Sequence, residues 1–388
     1  MNKIVNPEPL FNDEFVGEPP AKRVLGHVQA KREQGAAVAG IYCGYAPMEL
    51  IHAMNIVPAV LCAFSNAQIE AAEEHLPANL CPLIKSSYGF VIRDTCPFYA
   101  VSDVVIAETT CDGKKKMFEL MSHIRPLYVM DLPQVPEEKE AREEWKSMIL
   151  KVQSFMEKHT GKNTTEEKIE ASIKDTNRKN ALMRKIFGFA AMQPPVVSWA
   201  ELYDVIFIAM AAKGEEINPR LEDIIVKLEK RVESGYFHGD LKSPRVMVTG
   251  CPVGGDALKI FKIVEEMGGV VVALDSCTGM KAFMDDISED TGDPVGAIAE
   301  RYLRIPCSCM TPNSRRLTTM DKIIENFKPD AVVDFVLHAC HSYNIESYKV
   351  GEHVKNKHNI PFLKVVTDYS DGDVEQIKTR VQALFESI

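Results

Sequence analysis

The chain has 388 residues, of which 46% are hydrophobic and 26% charged, with 22 glycines and 22 prolines. That composition excludes a disordered, collagen-like or disulfide-knotted protein, and at about 100–200 residues per domain the length predicts two or three domains with cores of their own. The 45 Lys and Arg against 55 Asp and Glu leave a formal charge of −10, which argues against a nucleic-acid binder because phosphate backbones demand a basic excess.

The opening stretch Met1–Leu10 lacks the apolar segment of a signal peptide. The longest apolar runs, such as Tyr203–Ala212, fall far short of a membrane span. A cytoplasmic protein with no membrane partner is therefore expected, and its thiols should be reduced. The ten cysteines then read as buried bystanders, metal ligands or a redox site rather than a disulfide framework.

Residues 1–36 predict a proline-rich arm (Pro7, Pro9, Pro19, Pro20) followed by a helix. Residues 37–136 predict a first α/β domain, with strands at Val38–Tyr42, Ile56–Leu61, Val101–Ala107 and Leu127–Met130 and a helix at Pro47–Met54. From 137 to 240 the apolar period becomes helical: Trp145, Ile149, Val152 and Met156 share one face. Thr164 with Glu167, and Ser198 with Glu201, are capping-box signals, and Pro219 marks the start of another amphipathic helix. A second α/β domain is expected over 241–388, with strands at Arg245–Thr249, Val270–Leu274, Ala331–Leu337 and Pro361–Thr367 and a helix at Ala257–Met267. The fold class predicted is α/β, with two flavodoxin-like or Rossmann-like parallel-sheet domains facing each other across a helical segment.

Cysteine position is more telling than cysteine number. Cys43, Cys62, Cys111, Cys251, Cys277 and Cys340 each follow the end of a predicted strand. In open α/β sheets ligands bind at that edge, where the following helices also direct their N–H groups. Three well-spread thiols come from each unit: Cys43, Cys81 and Cys111 from the first, Cys277, Cys307 and Cys340 from the second. This pattern predicts a metal–sulfur site assembled between the domains. Structural zinc spacings of the C-x-x-C kind and ferredoxin-type runs are absent. Cys62 and Cys96 read as buried small hydrophobes. In Cys307-Ser-Cys309 two adjacent ligands would crowd one cluster face, so one is expected to bind, with Cys309 favoured over Cys307.

Gly250-Cys-Pro-Val-Gly-Gly-Asp matches neither dinucleotide nor Walker patterns and is read as a tight turn that lets the backbone approach a cluster or the facing domain. Lys114–Lys116 opens a helix, either as a solvated start or with a lysine beside an anionic cluster. Lys85 and His341 are candidates for donation to cluster sulfur.

At Asn79-Leu-Cys-Pro-Leu-Ile-Lys-Ser-Ser-Tyr-Gly, Thr109-Thr-Cys-Asp-Gly-Lys-Lys-Lys, Asp275-Ser-Cys-Thr-Gly, Pro306-Cys-Ser-Cys-Met-Thr-Pro-Asn and Leu337-His-Ala-Cys-His, the chain resembles the 2-hydroxyacyl-CoA dehydratase family, and within it the double-cubane cluster proteins. The likeness runs from about residue 20 to the C-terminus. It implies that Cys81, Cys111 and Cys340 are the three ligands of a [4Fe-4S] cubane. Cys43, Cys277 and the Cys307/Cys309 pair would supply a second set, which fits an [8Fe-9S] double cubane. The resemblance further implies a homodimer that acts as a reductase on a small molecule. Its electrons would come from a separate homodimeric ATPase with its own [4Fe-4S] cluster. The alternative it leaves open is a 2-hydroxyacyl-CoA dehydratase subunit with a single [4Fe-4S] cluster.

Overall fold

The computed structural model describes residues 7–388, so the first six residues of the expected arm lie outside the described part. Two four-stranded sheets organise the chain. The first comprises β1 (Ala37–Ile41), β2 (Ile56–Val60), β3 (Val104–Glu108) and β4 (Leu127–Met130) in the order β2-β1-β3-β4. The second comprises β5 (Arg245–Gly250), β6 (Val270–Asp275), β7 (Ala331–Leu337) and β8 (Phe362–Thr367) in the matching order β6-β5-β7-β8. Every pairing is parallel. Strands β1, β3, β5, β6 and β7 are buried along their whole length, because helices cover both faces of a parallel sheet, and even β6, at the sheet edge, is covered. The expected α/β class with two parallel-sheet units is what the chain adopts.

Local chemistry sets several boundaries differently from the sequence reading. The expected strand at Val101–Ala107 begins only at Val104, because Pro97–Val101 forms a short helix. Pro97 stands in its first turn and the Cys96 sulfur accepts the Tyr99 N–H at 3.3 Å. The helix expected to start at Thr164 is capped by Thr165, whose hydroxyl accepts the Lys168 N–H, while the Thr164 hydroxyl donates instead to the Ala53 carbonyl at 3.1 Å. Pro219 lies inside a helix that already starts at Gly214. There Asp175 accepts the Glu215 N–H at 2.7 Å and satisfies a first-turn donor. The box at Ser198 and Glu201 forms as expected.

Four helices, Ala141–Thr160, Glu166–Ala191, Trp199–Ala211 and Gly214–Glu233, follow the first sheet. The face of Trp145, Ile149, Val152 and Met156 is fully buried. Its partners include an element from the second half of the chain. Helix Pro294–Leu303 places Val295, Ile298 and Tyr302 in one core with Trp145, Ile149, Ile41 and Ile106. The loop behind this helix, which carries Cys307 and Cys309, is thereby fixed to the first sheet.

The turn after β5 fastens the two units directly. The Asp256 N–H donates to the Phe64 carbonyl at 2.8 Å, and its carboxylate accepts the Asn66 N–H at 2.8 Å. A side chain at Gly254 would sit 2.7 Å from the Phe64 ring, and Gly255 combines a φ of +49° with a Cβ position 2.4 Å from the Phe64 carbonyl. These glycines serve close backbone approach between units, as the turn reading anticipated.

Candidate metal centre

Matching strand order puts the thiols at matching places. Cys43, Cys62 and Cys111 follow β1, β2 and β3; Cys251, Cys277 and Cys340 follow β5, β6 and β7. In each sheet the chain runs one way from its first strand to its second and the other way to its third, so a crevice opens beyond the first and third strands. The two crevices share one cavity of about 900 Å³. Nine of the ten cysteines line it, and Cys96 alone does not.

Helix starts supply the local order. Cys81, Cys111 and Cys340 occupy the positions immediately before helices Pro82–Ile92, Asp112–Met121 and His341–His358. Backbone N–H groups of each first turn are directed at the sulfur: Leu83 and Ile84 at Cys81, Gly113 and Lys114 at Cys111, Tyr343 at Cys340. Such donors and the helix dipole favour negative sulfur.

The thiols fall into two groups. In one, the Cys81 and Cys251 thiols both hydrogen-bond to Cys340, which holds Cys340 well below the usual thiol range. Cys111 lies beside them, close enough to feel the charge on Cys340, and burial pushes its thiol up. In the other, Cys309 donates to Cys307 and brings it down to about 6, while Cys309 itself is pushed up by the same contact. Cys43 and Cys277 feel the charge on Cys307, and burial raises both thiols. Two thiols stand apart. Cys62 donates to the Tyr42 carbonyl at 3.3 Å and is pushed up to about 12 by burial, and Cys96 caps its own short helix.

Cations sit among these sulfurs. Lys114 is ion-paired with buried Glu108, and its charge bears on Cys43, Cys62, Cys277 and Cys309. Lys116 pairs with Glu119 at the surface, and Lys115, though at the cavity rim, pairs with exposed Asp112, so of the three lysines Lys114 is the one set among the thiols. Lys281 lies beside Cys277 and Cys307, 3.6 Å from Asp275. The Lys281 ammonium and the Tyr343 hydroxyl are both buried with no hydrogen-bond partner among the described residues. Lys281 thus has the charge of Asp275 nearby but no hydrogen bond; burying donors in that state is costly, and both face Cys277. Behind them Arg316 is fully buried and pairs with Asp275 at 3.1 Å and Glu346 at 2.9 Å.

The sequence-predicted positions fare unevenly. Cys43, Cys81, Cys111, Cys277, Cys307, Cys309 and Cys340 all reach the cavity, and His341 lies on its exposed rim. Lys85 does not: its ammonium turns to Glu73 and the Ala78 carbonyl, each at 2.7 Å, one turn beyond the cysteine it was expected to serve. Cys251 belongs with Cys81 and Cys340, a place the sequence signalled only by its position after a strand. The far cavity wall carries Glu49, Thr176, Lys179, Asn180 and Tyr302, for which sequence offered no signal. Asp321, His353 and His358 gather outside the cavity; the Asp321 carboxylate meets the two ring nitrogens at 2.7 and 2.6 Å and Lys357 at 2.6 Å.

The family profile for the 2-hydroxyglutaryl-CoA dehydratase D-component matches residues 43–388. The chain belongs to this family. YjiM of Escherichia coli (strain K12), a candidate dehydratase subunit, is 40% identical over 92% of this chain and 93% of its own. The (R)-phenyllactyl-CoA dehydratase beta subunit of Clostridium sporogenes is 22% identical over 99% and 100%. One of the benzoyl-CoA reductase subunits of Thauera aromatica is 19% identical over 89% of each chain. The family thus joins dehydratase and reductase subunits, and membership makes this chain an enzyme component. Among the described residues no helix is long and apolar enough to cross a membrane.

Proposed function

We propose that this protein is the iron–sulfur component of an ATP-partnered reductase, with a double-cubane cluster held in the cavity between its two units. The observation that carries the reading is the gathering of eight buried or half-buried thiols in two groups of four around one cavity. A three-thiolate cubane needs three donors, so each group has enough for one cluster with one thiol to spare. The donor set is all sulfur, which suits iron–sulfur chemistry over hard cations. The Lys281 ammonium and the Tyr343 hydroxyl, neither of which has a hydrogen bond among the described residues, would find acceptors in cluster sulfur.

In this reading Cys81 and Cys340 hold one cubane, with Cys111 or Cys251 as the third ligand. Cys43, Cys277 and one of Cys307 and Cys309 hold the other. Bound there, such a cluster would supply strongly reducing electrons to a substrate in the cavity. The chain's own residues do the rest. First-turn N–H groups stabilise sulfur charge, Lys114 and Lys281 place positive charge beside it, and the apolar wall limits water. The electrons come from a homodimeric ATPase with its own [4Fe-4S] cluster, which docks on a homodimer of this chain, and the substrate is a small molecule.

The relatives' names favour a second reading, a 2-hydroxyacyl-CoA dehydratase subunit with one [4Fe-4S] cluster. One measurement separates the two. Iron and sulfide analysis of anaerobically purified protein should give about eight irons per chain for the double cubane. A value near half of that rejects it in favour of the dehydratase.

A further inference from the structure

One end of the large cavity is lined by charged groups with no part in holding sulfur. Glu49, Lys179 and Tyr302 meet there. The Glu49 carboxylate accepts the Tyr302 hydroxyl at 2.9 Å. Lys179 is 4% exposed, and the hydrogen bond from its ammonium is to the Ala212 carbonyl at 3.1 Å. Glu49 and His52 share the helix Met48–Ala53, and His52 is 5% exposed. Neither ring nitrogen of His52 has a hydrogen-bond partner among the described residues.

His52 also lines a second, polar cavity of about 100 Å³, together with His27, Lys31, Asn55, Lys213 and Glu216. That volume admits a few waters, and its walls offer enough polar groups to hold them. The buried imidazole thus borders the small cavity, and its helix packs against Glu166–Ala191, the helix that carries Lys179 to the large one. Burial, reinforced by the charges of Lys179, Lys213 and His27, holds the His52 imidazole well below its usual range and so neutral, whereas Glu49, Asp175 and Glu216 act on Lys179.

We infer that Glu49, Lys179 and His52 form a proton-entry arm, which carries protons from the small polar cavity to a substrate at the thiol-lined site. The inference rests on the proposed reductase reading, since reduction of a small molecule consumes protons as well as electrons. A purely structural role explains the geometry less well. Burying an ammonium and an imidazole costs several kcal/mol unless their hydrogen bonds are met, and here most are unmet. Burial also brings Lys179 down to about 8, so its ammonium can give up a proton near neutrality.

With hydroxylamine as probe, the partner supplies two electrons and the N–O bond breaks. One proton goes to nitrogen and one to the departing hydroxide, giving ammonia and water. Each proton leaves the Lys179 ammonium. The amine is recharged through His52, which releases the proton of one ring nitrogen as it takes another on the second, so that the buried ring stays neutral throughout. Water in the small cavity replaces that proton from solvent. Glu49 offsets the charge of the ammonium between transfers.

The test compares wild type with His52→Ala, His52→Gln, Lys179→Met and Lys179→Arg, all iron-loaded and supplied with the ATPase partner. Three readouts are needed: iron content, electron uptake by EPR, and hydroxylamine reduction across pH with its solvent deuterium isotope effect. With iron and electron uptake intact, Lys179→Met should slow turnover by about 10²-fold, in the range of general acid catalysis. His52→Ala should slow it about tenfold, raise the isotope effect and recover with added imidazole, as expected of a lost acid–base group. Lys179→Arg should move the alkaline limb of the profile, expected near about 8 in wild type, to higher pH. Should the truncations lose iron, His52→Gln and Lys179→Arg decide alone. Unchanged profiles and isotope effects in variants that keep iron and accept electrons overturn the arm. So does a wild type that holds iron and accepts electrons yet leaves hydroxylamine intact. A wild type without thiol-held iron removes the reductase reading, and the arm with it.

Discussion

Lys114 reaches back from the first turn of its helix to the carboxylate of Glu108, the last residue of β3, and pairs with it inside the cavity wall. Glu108 is 1% exposed, and burial raises its carboxyl above the usual range against the pull of Lys114. The pair fixes the turn that carries Cys111 and sets one positive charge before the thiols.

Replacing Lys114 by Met should therefore destabilise the protein by about 3–5 kcal/mol, because Glu108 is left buried without its cation. Adding Glu108→Gln should return much of that loss. Thermal or denaturant unfolding of the two variants checks this; a double variant no better than the single one refutes the pairing.

Thiol replacement separates ligands from neighbours. Cys81→Ser and Cys340→Ser should each remove about half of the iron, one cubane's share. Cys62→Ser and Cys96→Ser should retain it, since those thiols have backbone partners of their own. Whichever of Cys111→Ser and Cys251→Ser keeps full iron identifies the spare thiol of that group.

Gly250 has a φ of +112°, and a side chain there would lie 2.2 Å from the Phe335 carbonyl. Gly250→Ala should cost about 1–3 kcal/mol from the backbone conformation alone. The clash should also displace Cys251, the next residue. Unfolding measured together with iron content checks both effects.

The Asp321 carboxyl is held down to about 2 against burial by Lys357, His358 and His353. A depressed carboxyl stabilises the fold above its unfolded value of 3.8, and that stability is lost as pH falls through about 2. Asp321→Asn should then cost about 1–2 kcal/mol at neutral pH, with the gap to wild type closing across that acid window. A constant gap from pH 7 to 2 contradicts the assignment.

Much of this was readable from residues alone. Runs such as Ala331–Leu337 read as inner parallel strands, and the structure places that one between two others and buries every position. Cysteines after strands pointed to the sheet edge, since strand ends fix where the next residues must lie. Other features were hidden. Trp145 and Ile149 announced an apolar face, yet periodicity does not say that helix Pro294–Leu303 covers it. Lys85 looked well placed beside Cys81, but helical rotation turned it to Glu73.

The amino-acid sequence by itself determined the two parallel sheets, the helices between them and a set of thiols at strand ends, because these depend on local periodicity and turn chemistry. Only the tertiary structure decided that Cys251 joins Cys81 and Cys340, that the Cys307 loop travels with the first sheet, and that Glu49 and Lys179 share the wall of the large cavity while His52 borders the small one. Those relations depend on which apolar faces pack together. That choice is made by burial across distant parts of the chain, which no local pattern records.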